Sequence, residues 1–178
     1  MAKFETVEAK AFHCGQMARM LRSEHLVEIS KTGLQAHREL RGTFDNSCYR
    51  RALLMDGKLI ALGGCGGYSL ETVGFVWLAL SNEARRHPLA VMRHVRAELD
   101  KMMVMKRNLA ATVLAGDDAA KRAAIFLGFY PMACEPFGNH TRQARMTLRR
   151  MAENDTNLRL PCGDTYHIVL AYHPERAN

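Results

Sequence analysis

The chain has 178 residues, five scattered cysteines and a formal charge of +7, from 25 Lys plus Arg against 18 Asp plus Glu. That length suits one domain burying roughly two-thirds of its unfolded surface, and an odd cysteine count without a Cys-x-x-Cys pair argues against a disulfide framework or a zinc site. The N-terminal Met-Ala-Lys-Phe-Glu-Thr has no signal-peptide core and no apolar run approaches the ~20 residues that span a bilayer, so a soluble protein of a reducing cytoplasm is expected.

Phe4 to Ala9 alternates and reads as a first strand. Phe12 to Ile29, with Met17 and Leu21 at three-to-four spacing, reads as one helix, broken by Gly33, and Leu34 to Arg41 as a second short one. Tyr49 to Met55 and Lys58 to Leu62 flank Asp56-Gly57, the strongest short hairpin signal, which predicts two antiparallel strands. Gly63-Gly64-Cys65-Gly66-Gly67 leads into another strand and not into a helix, so it reads as a glycine-rich hairpin end and not as a phosphate loop. Neither Cys65 nor Ser69 has a His and Asp arrangement to activate it as a nucleophile.

Thr72 to Leu80 and Asn108 to Ala115 are apolar runs separated by an amphipathic stretch, Arg85 to Lys106. The latter puts Leu89, Met92, Val95, Leu99, Met102 and Met103 on one stripe, with Arg93, Arg96, Asp100 and Lys101 largely opposite. Strand, helix and strand in that order predict a parallel pair with a covered crossover, and a helix N-terminus beside such a sheet can hold a phosphate-bearing ligand. Asp117 or Asp118 can cap a last helix with a small-residue face of Ala120, Ala123, Ala124 and Leu127, ended by Gly128. Strands are expected over Tyr130 to Glu135 and Gln143 to Met151. Residues 152–178 then form an extension in which Tyr166 to Tyr172 alternates as an added strand or arm. An exposed edge of that kind predicts self-association.

Arg85, Arg86, His87, Arg93, His94 and Arg96 crowd the opening of the long helix, and Arg142, Arg145, Arg149 and Arg150 follow later. No aromatic residues interleave with them, so they read as solvated faces and not as a nucleic-acid surface. His87 and His94 are seven apart on the helix, where paired ligands would sit three or four apart, and no metal is expected.

In order, these elements resemble the GNAT superfamily of acyl-CoA-dependent N-acyltransferases over about residues 3–151. The implied fold is α/β (α+β), a single GNAT-like domain with a mixed central sheet in the order β-α-α-β-β-β-α-β-α-β-β, plus the C-terminal strand. Ala120 through Leu127-Gly128-Phe129-Tyr130 looks like the family's Asn-x-x-Ala…Tyr-x-x-x-Gly-Phe segment, and Arg85-Arg86-His87-Pro88-Leu89-Ala90 stands at its Gln/Arg-x-x-Gly-x-Gly/Ala pyrophosphate loop. The resemblance implies acetyl-CoA as cofactor and an amine as acceptor, with cofactor contacts at Leu78, Leu80, Arg85, Arg86, His87, Ala90, Asp117 and Ala120. It departs at Pro88, which stands at the central glycine and has no N–H for a phosphate oxygen, so weak or absent cofactor binding is expected. It departs again at Ala124, which occupies the place of the family's acid tyrosine. Tyr130 is the substitute acid, and Glu71, at the start of the fourth strand, is the candidate base with Glu83 second.

A narrower similarity covers residues 53–131. Met55-Asp-Gly-Lys-Leu-Ile-Ala-Leu-Gly-Gly64, Phe75-Val-Trp-Leu, the basic helix and Asp117 to Phe129 resemble the small GNAT-like proteins encoded among the morphogenesis genes of short-tailed phages, including internal virion proteins. This implies a virion or assembly protein on a catalytically degenerate scaffold, located in a host cytoplasm or virion with virion proteins as partners. The alternatives are an active acetyl-CoA-dependent N-acetyltransferase and, on charge alone, a nucleic-acid-contacting module.

Overall fold

The computed structural model describes residues 2–67, 73–136 and 166–172. Glu71, the expected strand Gln143 to Met151 and the boundary at residue 152 lie outside these. Contacts divide the chain into two compact units, Met1–Leu109 and Ala110–Asn178.

In the first unit, strands β1 (Phe4–Glu8), β2 (Ser47–Met55), β3 (Lys58–Gly66) and β4 (Val73–Leu80) pair in sequence order, all antiparallel. The β2–β3 hairpin closes as the Asp-Gly signal predicts. Asp56 and Gly57 take φ values of 49° and 77°, the doubly left-handed two-residue turn that matches strand twist, and Met55 faces Lys58.

Two apolar layers sandwich this sheet. On one face Ala52, Leu59, Leu62 and Ala79 pack against α1 (Ala11–Met20), α2 (Ser23–Ser30) and α3 (Ala36–Asp45), which supply Cys14, Met17, Leu40 and Phe44. On the other, Leu53, Ile60, Ala61 and Leu78 pack against Val91, Met92 and Val95 of α4 (Pro88–Met105). Ile60 and Ala61 both face α4 although adjacent, because the register slips between Leu53 and Leu54 and the β3 strand bulges there.

Two expectations are corrected here. The single helix over Phe12 to Ile29 is two helices, since Leu21 leaves the helix to bridge Ser81 at the end of β4, with Arg22 N donating to Leu80 O at 3.0 Å and Asn82 N to Met20 O at 3.2 Å. The backbone groups freed by the break are thus satisfied by the sheet. The glycine run is not a hairpin end: Gly63 to Gly66 lie inside β3, paired to β2 and β4. A Cβ on Gly64 would strike the Tyr49 carbonyl, and one on Gly63 would come to 2.9 Å from the Trp77 carbonyl, so the glycines permit close strand approach.

In the second unit β5 (Asn108–Leu114), α5 (Asp118–Phe126) and β6 (Phe129–Pro136) follow the expected order. Strand β7 (Tyr166–Tyr172) is not an arm with an open edge. It is the added strand, running antiparallel to β5 on one side and to β6 on the other.

Candidate functional site

The turn from β4 into α4 carries most of the residues singled out for the cofactor. Glu83–Arg86 form a single 3-10 turn, His87 is the helix N-cap at φ −131° and ψ 47°, and Pro88 is the first helical residue. The helix therefore starts three residues later than Arg85. Proline is well placed there, because its fixed φ suits the first turn and its missing N–H is one the helix could not have used. Inside the turn Ala84 N donates to Ser81 O, Arg85 N to Asn82 O and His87 N to Ala84 O, at 3.1–3.3 Å. The first intrahelical bond is Val91 N to His87 O, so Leu89 and Ala90 present first-turn amides with no acceptor inside the helix.

Each basic side chain of the turn has an acid beside it. Arg85 pairs with Glu24 of α2, Arg86 Nη1 lies 3.1 Å from Glu83 Oε2, and His87 Nε2 lies 3.9 Å from Glu83 Oε1. These groups are substantially exposed, so each pair is worth about 0–1 kcal/mol and can be exchanged for a stronger anion. Leu89, expected in the core stripe, is 65% exposed, and Val91 takes its place in the core at 1%. Leu78 and Leu80 turn their side chains to the α4 layer. The peptide groups of Leu80 point away from β3, since Ser81 N bonds Ile60 O; Leu80 O accepts from Arg22 N and Leu80 N lies 3.5 Å from His25 Nδ1.

A second polar site, absent from the sequence reading, lies under the middle of α4. Glu98 is 8% exposed and accepts from Tyr49 Oη at 2.6 Å and Lys101 Nζ at 2.7 Å, with Arg51 Nε at 3.4 Å. Burial pushes its carboxyl up, but the hydrogen bonds from Lys101 and Tyr49 and the nearby cations outweigh this and hold it below the usual range. Burial, followed by the bond to Glu98 and its charge, pushes the Tyr49 phenol to about 12. Beside them lies a pocket of about 50 Å³, lined mostly by apolar groups such as Leu53, Val76, Leu99 and Met102, with Arg51 and Glu98 also in its wall. The signal was available: Glu98 falls seven residues after Val91 and four before Met102, on the apolar stripe itself.

In the second unit Asp117 caps α5, its Oδ1 accepting from Ala120 N at 2.9 Å, so these two expected cofactor residues are engaged with each other. Ala124 is buried, Gly128 ends the helix at φ 95°, and Tyr130 lies on β6 opposite Ala171 of β7. Among the described residues no group of three or more His, Cys, Asp or Glu could hold a metal, and no helix is long and apolar enough to cross a membrane.

No protein-family profile matches the chain, and no curated protein sequence does. Solved structures do. The chain is similar to the ribosomal-protein-S18-alanine N-acetyltransferase of Escherichia coli, with a TM-score of 0.58 and 16% identity over 97% of this chain and 93% of that one. A spermidine N-acetyltransferase chimera from Vibrio cholerae gives 0.62 at 9% identity over 98% and 97%. RimJ of Mycobacterium smegmatis, solved with CoA-disulfide, gives 0.62 at 11% over 97% and 82%. The chain has the mixed α/β fold of GNAT acetyltransferases, as the order of its elements predicted.

Proposed function

We propose that this chain, built on the GNAT acetyltransferase fold, is an acetyl-CoA-dependent N-acetyltransferase of low cofactor affinity that acts on an amine. The observation that carries the reading is the β4–α4 turn, where Arg85, Arg86 and His87 precede the unbonded first-turn amides of Leu89 and Ala90. Cations beside a helix N-terminus suit a diphosphate, and the two amides would hold its oxygens. Pro88 offers no third donor, and losing one charge-assisted bond costs about 1.5–3 kcal/mol, or about ten- to a hundredfold in affinity. Bound acetyl-CoA supplies an acetyl group activated as a thioester. The carboxylate of Glu71 takes the proton from the acceptor amine, and Tyr130 Oη is the proton donor that stands in for the residue replaced by Ala124.

A second reading, a virion or assembly protein on a degenerate scaffold, is favoured by Pro88 and by the pairing of Arg85 with Glu24 and of Arg86 and His87 with Glu83. A thermal shift with acetyl-CoA separates the two. At a hundredfold excess over Kd the first reading gives about 2.7 kcal/mol, or about 5–10 °C in Tm. No shift at millimolar acetyl-CoA discards it in favour of the second. Where binding is seen, Glu71→Gln and Tyr130→Phe should each lower turnover by at least about tenfold, and an unchanged rate removes that residue from the mechanism.

A further inference from the structure

Cys48 and Cys65 sit side by side on neighbouring strands. In the β2–β3 ladder Ser47 faces Gly66 and Tyr49 faces Cys65, so Cys48 is the extra residue of a bulge directly against Cys65. The Cys48 thiol donates to the Cys65 carbonyl at 3.3 Å, and the Cys65 thiol donates to Gly66 O at 3.5 Å. A bulge sets two residues, here Cys48 and Tyr49, against one, here Cys65, and a disulfide spans Cα separations of about 4.4–6.8 Å.

Their surroundings differ in a way that orders the chemistry. Cys48 is exposed, whereas Cys65 is fully buried. A Cβ on Gly74 would strike Cys65 Sγ and come to 3.0 Å from the Lys106 side chain, so the glycine there leaves the thiol its room. Burial, followed by the neighbouring Cys48, pushes the Cys65 thiol up to about 11, and it stays protonated at neutral pH. An oxidant from solvent therefore meets Cys48 first. Cys14, by contrast, is buried in the α1–α3 layer with its thiol directed at Leu40 O.

We propose that Cys48 and Cys65 are a redox pair that closes reversibly into a disulfide under peroxide, an oxidation-sensitive latch across β2 and β3. Hydrogen peroxide converts the Cys48 thiol to a sulfenic acid and leaves as water. The Cys65 sulfur then displaces hydroxide from Cys48, its thiol proton completing a second water. Overall the two thiols lose two hydrogens and two electrons, and one peroxide becomes two waters. A dithiol reductant restores the pair. This is independent of whether the chain transfers acetyl groups.

The test is graded hydrogen peroxide treatment of the full-length protein, followed by intact mass and non-reducing peptide mapping. The expected product is about 2 Da lighter, contains a peptide joining Cys48 to Cys65, and returns to the thiol form with dithiothreitol. Closing a loop of this length should raise Tm by about 5–10 °C, and neither product nor shift should form in Cys48→Ser, a change at an exposed position. Three results each overturn the proposal: Cys48 recovered only as sulfinic acid, Cys48 joined to a different cysteine, or Cys65 still alkylatable after Cys48 is fully oxidised.

Discussion

Replacing Glu98 with glutamine isolates the electrostatic part of the α4 packing, because size is kept and only the charge and one acceptor atom change. In the native site all three neighbours are donors: Tyr49 Oη, Lys101 Nζ and Arg51 Nε. Hydrogen bonds to charged groups contribute about 1.5–3 kcal/mol and neutral ones about 0.5–1.5, so losing the charge weakens each contact by about 1 kcal/mol. The Lys101 side chain is 59% exposed, which cuts its share to a few tenths. The glutamine NH₂ adds a donor where only donors converge, at a cost of about 1 kcal/mol. The sum is about 3 kcal/mol, or a fall in Tm of about 6–12 °C. Urea unfolding of wild type, Glu98→Gln, Tyr49→Phe and the double variant should also give a coupling energy of about 1 kcal/mol or more. A Glu98→Gln loss under about 0.5 kcal/mol with no coupling would show that this carboxylate does not act as a buried acceptor. The pH dependence follows from the same site. The Glu98 carboxyl lies below the usual 4.5, so its stabilisation is present above that pH and is lost as pH falls through the lower folded value.

Tyr49 works in the opposite sense: its phenol is raised from 10.0 to about 12, so its contribution is complete below pH 10, disappears towards pH 12, and is absent from the alkaline limb of Tyr49→Phe. Gly64→Ala should destabilise by more than about 3 kcal/mol in the same unfolding assay, because the new Cβ meets the Tyr49 carbonyl and lies 3.1 Å from Trp77 Nε1. Gly42→Ala in α3, where nothing lies within 4 Å of the added atom, should instead stabilise by about 0.5–1 kcal/mol. Asp117→Ala removes the cap on Ala120 N and should cost about 1 kcal/mol, read as a shift in the urea midpoint. Glu24→Gln releases Arg85 and should tighten acetyl-CoA binding about threefold by calorimetry; an unchanged Kd would remove Arg85 from the diphosphate site.

What the sequence made legible was local chemistry. Asp56-Gly57 specifies its own turn, Gly33 at φ 74° its own helix break, and Asp117 with Gly128 the two ends of α5, because each conformation is set by residues within a few positions. The break at Leu21 carries no such mark. It contains neither glycine nor proline, and it exists because Leu21 finds Ser81, sixty residues away, as a strand partner. The glycine run was misplaced for a related reason: glycine signals close backbone approach as well as turning, and only the facing Tyr49 and Trp77 carbonyls decide between them. At the candidate site the basic residues of the turn were found, and Glu83 was read as a second candidate base where it pairs with Arg86 and His87; Glu24 was missed because it reaches Arg85 from a different helix. Glu98 could have been found, as an acid on an apolar stripe asks for donors opposite; which donors, Tyr49 and Arg51 of β2, required the fold.

The position of β7 sets an order of events during synthesis. Among the described residues β5 and β6 are not paired with each other, and within the second unit each pairs with residues 166–172. A nascent chain that has emerged through residue 136 thus carries β6 without the strand it pairs with among the described residues, exposed to whatever else can supply an edge. The first unit has no such wait, as β1 to β4 pair in the order in which they leave the ribosome. A stop codon before position 166 would therefore remove the strand that pairs β6 among the described residues.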